Sequence, residues 1–400
     1  MDSIQYLTQI ESKGIKLGLK RTQELMTRCN NPHLGLPTIQ VAGTNGKGSV
    51  CAMLANIFKV AGYKTGLFTS PHLFSLNERI RINNMPILNS EIDEFVKLNK
   101  KHIETTNATF FESITAMSFW FFKKNNVDIA IMETGLGGRL DSVSICEPIA
   151  TVITPISLDH IEILGTTLSK IAFEKAGIIK KGIPCIIAKQ DKNAFNVILK
   201  QGQNLGAPIH LADSKLSKNM YINIPGNIQR ENAQLAIATI EKINQFNIAK
   251  SDIITGLQTV NWLGRNQYLQ KNPIVIFDVG HNVSGIKTFI EYFSTLTIIG
   301  QSTLVIALEA RKNIISIIPL IEKIFTTIIC TQTDGRSPML AEELSKYFTT
   351  KNKLKIIINS KDAIKYGLDN IASNDALAII GSHYLGPPIN SIFNISFEKY

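Results

Sequence analysis

Thr38-Ile39-Gln40-Val41-Ala42-Gly43-Thr44-Asn45-Gly46-Lys47-Gly48-Ser49-Val50 is the stretch whose reading decides the fold. Its first four residues form a short, β-branched run, which predicts a buried strand. Gly43 to Gly48 then predicts a turn. Val50, Met53, Leu54, Ile57 and Phe58 recur at helical spacing up to Gly62, a helix-stop residue. Strand, glycine-rich turn and helix in this order make a phosphate cradle. The glycines let backbone N–H groups converge on phosphate oxygens, and the helix N-terminus adds positive potential. Lys47 adds a point charge for the terminal phosphates. The stretch departs from the Walker A pattern twice. Val41 stands five residues before Gly46, where that pattern has glycine, and Gly48 follows Lys47 directly, with Ser49 one place later. The alternative is a glycine-rich turn without a ligand; a lysine in this strand–turn–helix setting argues against it.

Outward from this loop, short apolar runs alternate with amphipathic stretches, the pattern of stacked βα units. Val127–Met132, Ala150–Ile156 and Pro184–Ala188 are expected strands. A second series begins near Pro273, with strands expected at Ile274–Phe277, Leu304–Leu308, Thr327–Cys330, Leu354–Ile358 and Ala376–Ile380. The expected fold is therefore α/β: an N-terminal, P-loop-type doubly wound domain over 1–270 and a smaller, Rossmann-like α/β domain over 271–400. The polar stretch Gln270-Lys271-Asn272 marks the expected boundary. No internal repeat or low-complexity segment interrupts the pattern.

The length of 400 residues suits two domains, and 44% hydrophobic with 18% charged residues is ordinary for a globule. A net charge of +10 favours anionic partners, or simply a solvated, lysine-rich surface. The basic residues are scattered, without Lys/Arg blocks or aromatic-basic repeats, which excludes a nucleic-acid reading. Cys29, Cys51, Cys146, Cys185 and Cys330 are odd in number and never spaced C-x-x-C, which argues against disulfides or a zinc site and for a reducing cytosol. The opening MDSIQYLTQIESKG has no apolar signal core, and no run reaches the ~20 apolar residues a spanning helix needs. The expectation is a cytoplasmic protein with no membrane partner.

GTNGKGS resembles the shortened phosphate loop of the folylpolyglutamate synthase and dihydrofolate synthase family, relatives of the Mur peptide ligases. Further stretches resemble the same family in the same order. Ile15 to Arg21 is similar to its I-x-LGL-x-R. Thr69-Ser70-Pro71-His72-Leu73 with Glu78-Arg79-Ile80 is similar to its TSPHL…ERI, and Phe110-Phe111-Glu112 with Thr115-Ala116 to its FE-x-x-T-A. Glu133 to Asp141 (ETGLGGRLD) is similar to E-x-G-L-G-G-R-x-D, Leu158-Asp159-His160 to LDH, and Glu174-Lys175-Ala176-Gly177-Ile178 to EKAGI.

The resemblance implies ATP bound by Gly43, Thr44, Asn45, Gly46, Lys47, Gly48 and Ser49, and Mg²⁺ held by Ser70, Glu133 and His160. Chemistry supports Glu133 independently: a carboxylate at the end of a buried strand, before a glycine-rich turn, sits where α/β proteins place ligands. Histidine is an unusual ligand for magnesium, and read alone Ser70 is a turn hydroxyl and His160 a helix-cap histidine. The resemblance further implies that Lys175 is carbamylated. That chemistry needs an unprotonated amine, hence a lowered pKa from burial or nearby positive charge. Phe111 and Phe119 read as core packing.

Farther along, Gly226, Gln229, Asn232 and Ala233 resemble G-x-H-Q-x-x-N-A with Ile228 in place of histidine, and Trp262, Gly264 and Arg265 resemble W-P-G-R with Leu263 in place of proline. Phe277-Asp278-Val279-Gly280-His281-Asn282 resembles LDGAHN. The resemblance places Gln229, Asn232, Arg265, Asp278 and His281 near ATP, with Arg265 on the transferring phosphate; read alone, Asp278 caps the next turn. Departures follow. The family's D-K-D falls near Ala310-Arg311-Lys312, Ser144 replaces an asparagine and Val283 a proline.

The implied activity is ATP-dependent carbon–nitrogen ligation. L-glutamate is joined to dihydropteroate, and to the γ-carboxylate of reduced folates, through an acyl phosphate. Lys47, Lys175, Arg265 and His281 are the expected catalytic residues. A bifunctional enzyme is expected, with a single-activity synthase, a Mur-like ligase or a non-catalytic nucleotide binder as alternatives. The LGL-x-R and TSPHL stretches count against a Mur-like substrate. The joint presence of Lys47, Glu133, His160, Lys175, Arg265 and His281 counts against lost catalysis. The expected partners are ATP, Mg²⁺, folate or dihydropteroate and L-glutamate, bound by a monomer.

Overall fold

The computed structural model describes residues 2–11, 14, 16–213, 220–310, 312–335 and 337–395. Ile15 of the LGL-x-R stretch and Arg311 lie outside the described residues. The chain forms two compact units: Met1–Asn223 with Gln229–Val260, and Ile224–Ile228 with Asn261–Tyr400.

The first unit holds an eight-stranded sheet built from β1 (Thr38–Ala42), β2 (Thr65–Phe68), β3 (Ile80–Ile82), β4 (Met85–Pro86), β5 (Ile129–Glu133), β6 (Pro148–Ile153), β7 (Cys185–Ile187) and β8 (Ile209–Leu211). Their order is β4-β3-β2-β5-β1-β6-β7-β8. From β2 to β8 all neighbours are parallel, and β3 and β4 fold back antiparallel at one edge. Every residue of β1 and β5 is buried, as expected of central strands covered on both faces. The expected strands at 127–132, 150–156 and 184–188 appear within a few residues of their limits. The edge strands β3, β4 and β8 are two or three residues long, too short to print a pattern.

The helix Lys47–Val60 follows β1 through the glycine turn. Sequence periodicity predicts one apolar face; instead everything from Gly48 to Phe58 is buried. The opposite side is covered by the helix Lys250–Thr259, where Gly256 lies so close that a Cβ there would stand 2.8 Å from the Ile57 Cα. Asn56 donates to the Gly256 carbonyl at 2.7 Å and to Thr259 Oγ1 at 2.9 Å, which satisfies the one amide this burial traps.

The second unit holds a six-stranded sheet: β9 (Gln267–Gln270), β10 (Ile274–Asp278), β11 (Ser302–Ile306), β12 (Thr327–Gln332), β13 (Leu354–Asn359) and β14 (Ala376–Ile380). The order is β13-β12-β11-β14-β10-β9, parallel except for β9. β9 pairs with β10, so the continuous part of this unit begins at Asn261, ahead of the polar stretch at 270–272. The strand QYLQ carries no apolar run to announce it. Among the described residues no helix is long and apolar enough to cross a membrane.

Candidate functional site

The phosphate loop leaves the C-terminal edge of the sheet, where β1 ends between β5 and β6. Gly43 has φ 142°, and a Cβ there would stand 1.8 Å from Thr154 Oγ1. Gly46 has φ 90°, and its Cβ would stand 2.5 Å from Asn232 Oδ1. Both positions therefore demand glycine twice over, by backbone conformation and by space. Lys47 Nζ donates to the Thr44 carbonyl at 3.2 Å and lies 3.9 Å from Glu133 Oε1. Ser49 is fully buried, and its Oγ has no hydrogen-bond partner among the described groups.

Glu133 ends β5 and is buried. Its Oε2 accepts the Ser70 N–H at 3.1 Å, so the loop after β2 brings Ser70 against the carboxylate. That loop is shaped by buried Glu78, which accepts the N–H groups of Leu73, Phe74 and Ser75. Among the described residues no three His, Cys, Asp or Glu side chains form a metal-holding group. A buried carboxylate at a phosphate loop, with a serine bound to it through its N–H, nevertheless offers oxygen donors of the kind a hard cation takes with phosphate oxygens and water.

Lys175 lies in the last turn of the helix Leu168–Ala176 and is buried, with Nζ donating to the Gly43 carbonyl at 2.6 Å. Burial, with the nearby Lys47 charge, pulls its amine down to about 7 against the opposing pull of Asp159 and Asp141. The lowered pKa that the sequence argument requires is thus present. Asp141 is itself pushed up to about 6 by burial, although it accepts the Leu136 and Val143 N–H groups and so ties the GLGGRLD turn.

His160 occupies the N-cap position of the short helix Ile161–Leu164 in the left-handed region, at φ 49°, and makes no side-chain cap bond. It is exposed, and its N–H donates to Asp159 Oδ1 at 3.0 Å. Its segment is bonded to the phosphate loop: Thr44 donates from its N–H to the Pro155 carbonyl and exchanges two hydrogen bonds with the Ser157 backbone. Gln229 and Asn232 are buried, joined by a 2.9 Å bond from Asn232 Nδ2, and Asn232 Oδ1 rests against Gly46 without a partner. Phe119 is fully in the core, whereas Phe111 is half-buried, packed on Phe68 and over Gly135. Arg21 of the LGL-x-R stretch pairs with buried Glu112 through both carboxylate oxygens, at the start of the same helix Phe110–Lys124.

In the second unit, Asp278 ends β10 and is buried, its carboxyl pushed up by burial and held back by Arg265. It accepts the N–H groups of Gly280 at 2.7 Å and Asn266 at 2.9 Å. Asp278 thereby caps the next turn, as read from sequence alone, and Asn282 caps the helix after it. Arg265 bonds the Gly264 carbonyl, and the His281 ring lies 5.7 Å from that of His383, with Nδ1 3.0 Å from the Val279 carbonyl. Glu309, just before the missing acids, is a half-buried carboxylate raised by burial and bonded by Ser382 Oγ at 3.3 Å. Sequence reasoning passed over it, and also over the Thr44–Ser157 pair, because neither motif spacing nor periodicity marks them.

Residues 41–263 match the Mur ligase middle domain, and residues 264–383 match the Mur ligase, glutamate ligase domain. The chain is 35% identical over 403 residues to the dihydrofolate synthase/folylpolyglutamate synthase of Bacillus subtilis, covering 93% of this chain and 94% of the relative. Among solved structures, E. coli FolC in complex with DHPP and ADP is 27% identical, with a TM-score of 0.89 and 98% of both chains covered. The bifunctional folylpolyglutamate synthase/dihydrofolate synthase of Yersinia pestis, complexed with AMPPNP and Mn ion, is 25% identical at a TM-score of 0.87, covering 98% of this chain and 97% of that one.

Proposed function

We infer the reaction from one premise: the chain belongs to the dihydrofolate synthase and folylpolyglutamate synthase family of Mur-type ligases. It is an ATP-dependent ligase that joins L-glutamate to folate-type carboxylates. We propose that it acts both on dihydropteroate and on the γ-carboxylate of reduced folates. The observation that carries the reading is the junction at the phosphate loop, where Lys47, Glu133 and Ser70 converge and buried Lys175 reaches the Gly43 carbonyl.

In the reaction, an oxygen of the acceptor carboxylate bonds the γ-phosphorus of ATP while the bond to ADP breaks. The acyl phosphate then presents a carbon with a good leaving group. The neutral amine of L-glutamate adds to that carbon, the tetrahedral intermediate expels phosphate, and the amine's proton leaves to solvent or base. Gly43, Asn45, Gly46, Gly48 and Ser49 are assigned to ATP with Gln229, Asn232, Asp278 and His281; Thr44, whose N–H and hydroxyl are engaged by Pro155 and Ser157, is assigned to bracing the loop instead. Lys47 and Arg265 are assigned to the charge that builds on the transferring phosphate, where fixed cations act without reorganising. Ser70, Glu133 and His160 would hold a divalent cation, assigned as Mg²⁺, whose chemistry is to neutralise phosphate charge. Lys175, with an amine near neutral pH, is assigned as carbamylated: its lone pair bonds carbon dioxide and a proton is released, which turns a buried cation into an anion. We propose a monomer in the cytoplasm; five buried, free cysteines fit a reducing compartment.

The test is phosphate release from MgATP and L-glutamate with 7,8-dihydropteroate, with tetrahydrofolate, or with no acceptor. Release with both acceptors is expected. Release with one alone refutes bifunctionality, and none with either, from protein that binds ATP, refutes the assigned substrates.

A further inference from the structure

We propose that Thr44 is a positioning residue that couples occupancy of the phosphate loop to the placement of His160. The idea rests on the assignment of His160 to the divalent cation. Sequence reading gives Thr44 to the nucleotide, but its polar groups are already engaged within the protein. Its N–H donates to the Pro155 carbonyl at 3.0 Å, its hydroxyl donates to the Ser157 carbonyl and accepts the Ser157 N–H, each at 3.1 Å, and its carbonyl accepts Lys47 Nζ. A single side chain thereby bonds a neighbouring backbone as a paired strand does.

The segment so held starts where β6 ends and runs to Asp159 and His160. It meets the loop at a further point: Thr154, fully buried, sets its unpartnered hydroxyl against Gly43. Any movement of Gly43 and Thr44 around a phosphate is therefore passed to Ser157, three residues before His160. His160 holds a left-handed backbone with its N–H on Asp159, so its position in space follows that of this segment. Valine is isosteric with threonine but makes neither Ser157 bond, and serine keeps both.

The experiment has two arms. In wild-type protein, ADP without metal should slow amide hydrogen exchange at Ser157 and His160; unchanged exchange there overturns the coupling. Mn²⁺ affinity of the ADP complex, read by electron paramagnetic resonance, should fall about tenfold in Thr44→Val, as when a group orienting a metal ligand is lost. Thr44→Ser should stay near wild type, and metal-free ADP affinity should hold in both. A parallel loss of metal-free ADP affinity would make Thr44 a nucleotide contact and overturn the proposal, as would equal losses in the Ser and Val variants or wild-type Mn²⁺ affinity in Thr44→Val. His160→Ala separates the underlying assignment: unchanged Mn²⁺ affinity there, with exchange still coupled, removes His160 from the metal and leaves the Thr44 link standing. Should Thr44→Val not fold, the wild-type exchange arm decides.

Discussion

Replacing Lys175 by methionine should make the protein more stable at neutral pH while abolishing ligation. The lysine amine sits at about 7 in the folded chain against 10.5 in the unfolded one. The unfolded chain therefore binds the proton more tightly, unfolding takes one up between those pH values, and stability rises with pH across that window. At pH 7 the buried amine costs about 4 kcal/mol relative to a group that never titrates; at pH 9.5 it costs about 1 kcal/mol. Methionine keeps the apolar stem but forfeits the bond to the Gly43 carbonyl, a loss of about 1 kcal/mol. The net expectation is a gain of about 3 kcal/mol at pH 7 that shrinks to near zero at pH 9.5. Urea unfolding in carbon-dioxide-free buffer at both pH values measures it. Bicarbonate should then stabilise the wild type and leave Lys175→Met unchanged, because only the lysine can form a carbamate. A methionine variant less stable than wild type at pH 7, or a difference equal at both pH values, would refute the reasoning.

Lys47→Ala should fold normally yet lose phosphate release by about 10²–10³-fold or more, since a fixed cation beside the transferring phosphate is removed; an active variant refutes the role. Gly43→Ala drives a Cβ to 1.8 Å from Thr154 Oγ1 at φ 142°, and should cost about 3 kcal/mol in urea unfolding and abolish ADP binding. Asp278→Ala leaves the Asn266 and Gly280 N–H groups without their acceptor, and should destabilise the unit carrying it by about 2–4 kcal/mol by calorimetry.

The central strands were legible because they are buried on both faces and so print unbroken β-branched runs, as in VDIAIM and ALAII. β9 and the short edge strands were not, because half-exposed or two-residue pairings leave no run to read. Among site residues, Lys47 and Glu133 could be placed from local pattern alone: each stands where a strand ends in a glycine-rich turn. Ser70, His160 and Lys175 could not: Ser70 follows β2, His160 stands at the cap of a short helix and Lys175 in the last turn of another, and no local pattern joins them. Their roles came from resemblance, and the structure adds the contacts: Ser70 on Glu133, and Lys175 on Gly43.

Those contacts share a feature that bears on why the site is built so. The phosphate loop is held at Gly43 by Lys175 and at Thr44 by the 155–157 segment, and Asn232 packs against it at Gly46. These contacts set polar or charged side chains in buried or half-buried places, and among the described residues Thr154 Oγ1, Ser49 Oγ and Asn232 Oδ1 have no hydrogen-bond partner. Apolar residues would pack such a junction at lower cost. A loop fixed by apolar contacts, however, has no way to respond to charge. Hydroxyls such as Ser49 Oγ and Thr154 Oγ1 can donate to a phosphate oxygen, a response that an apolar brace cannot make.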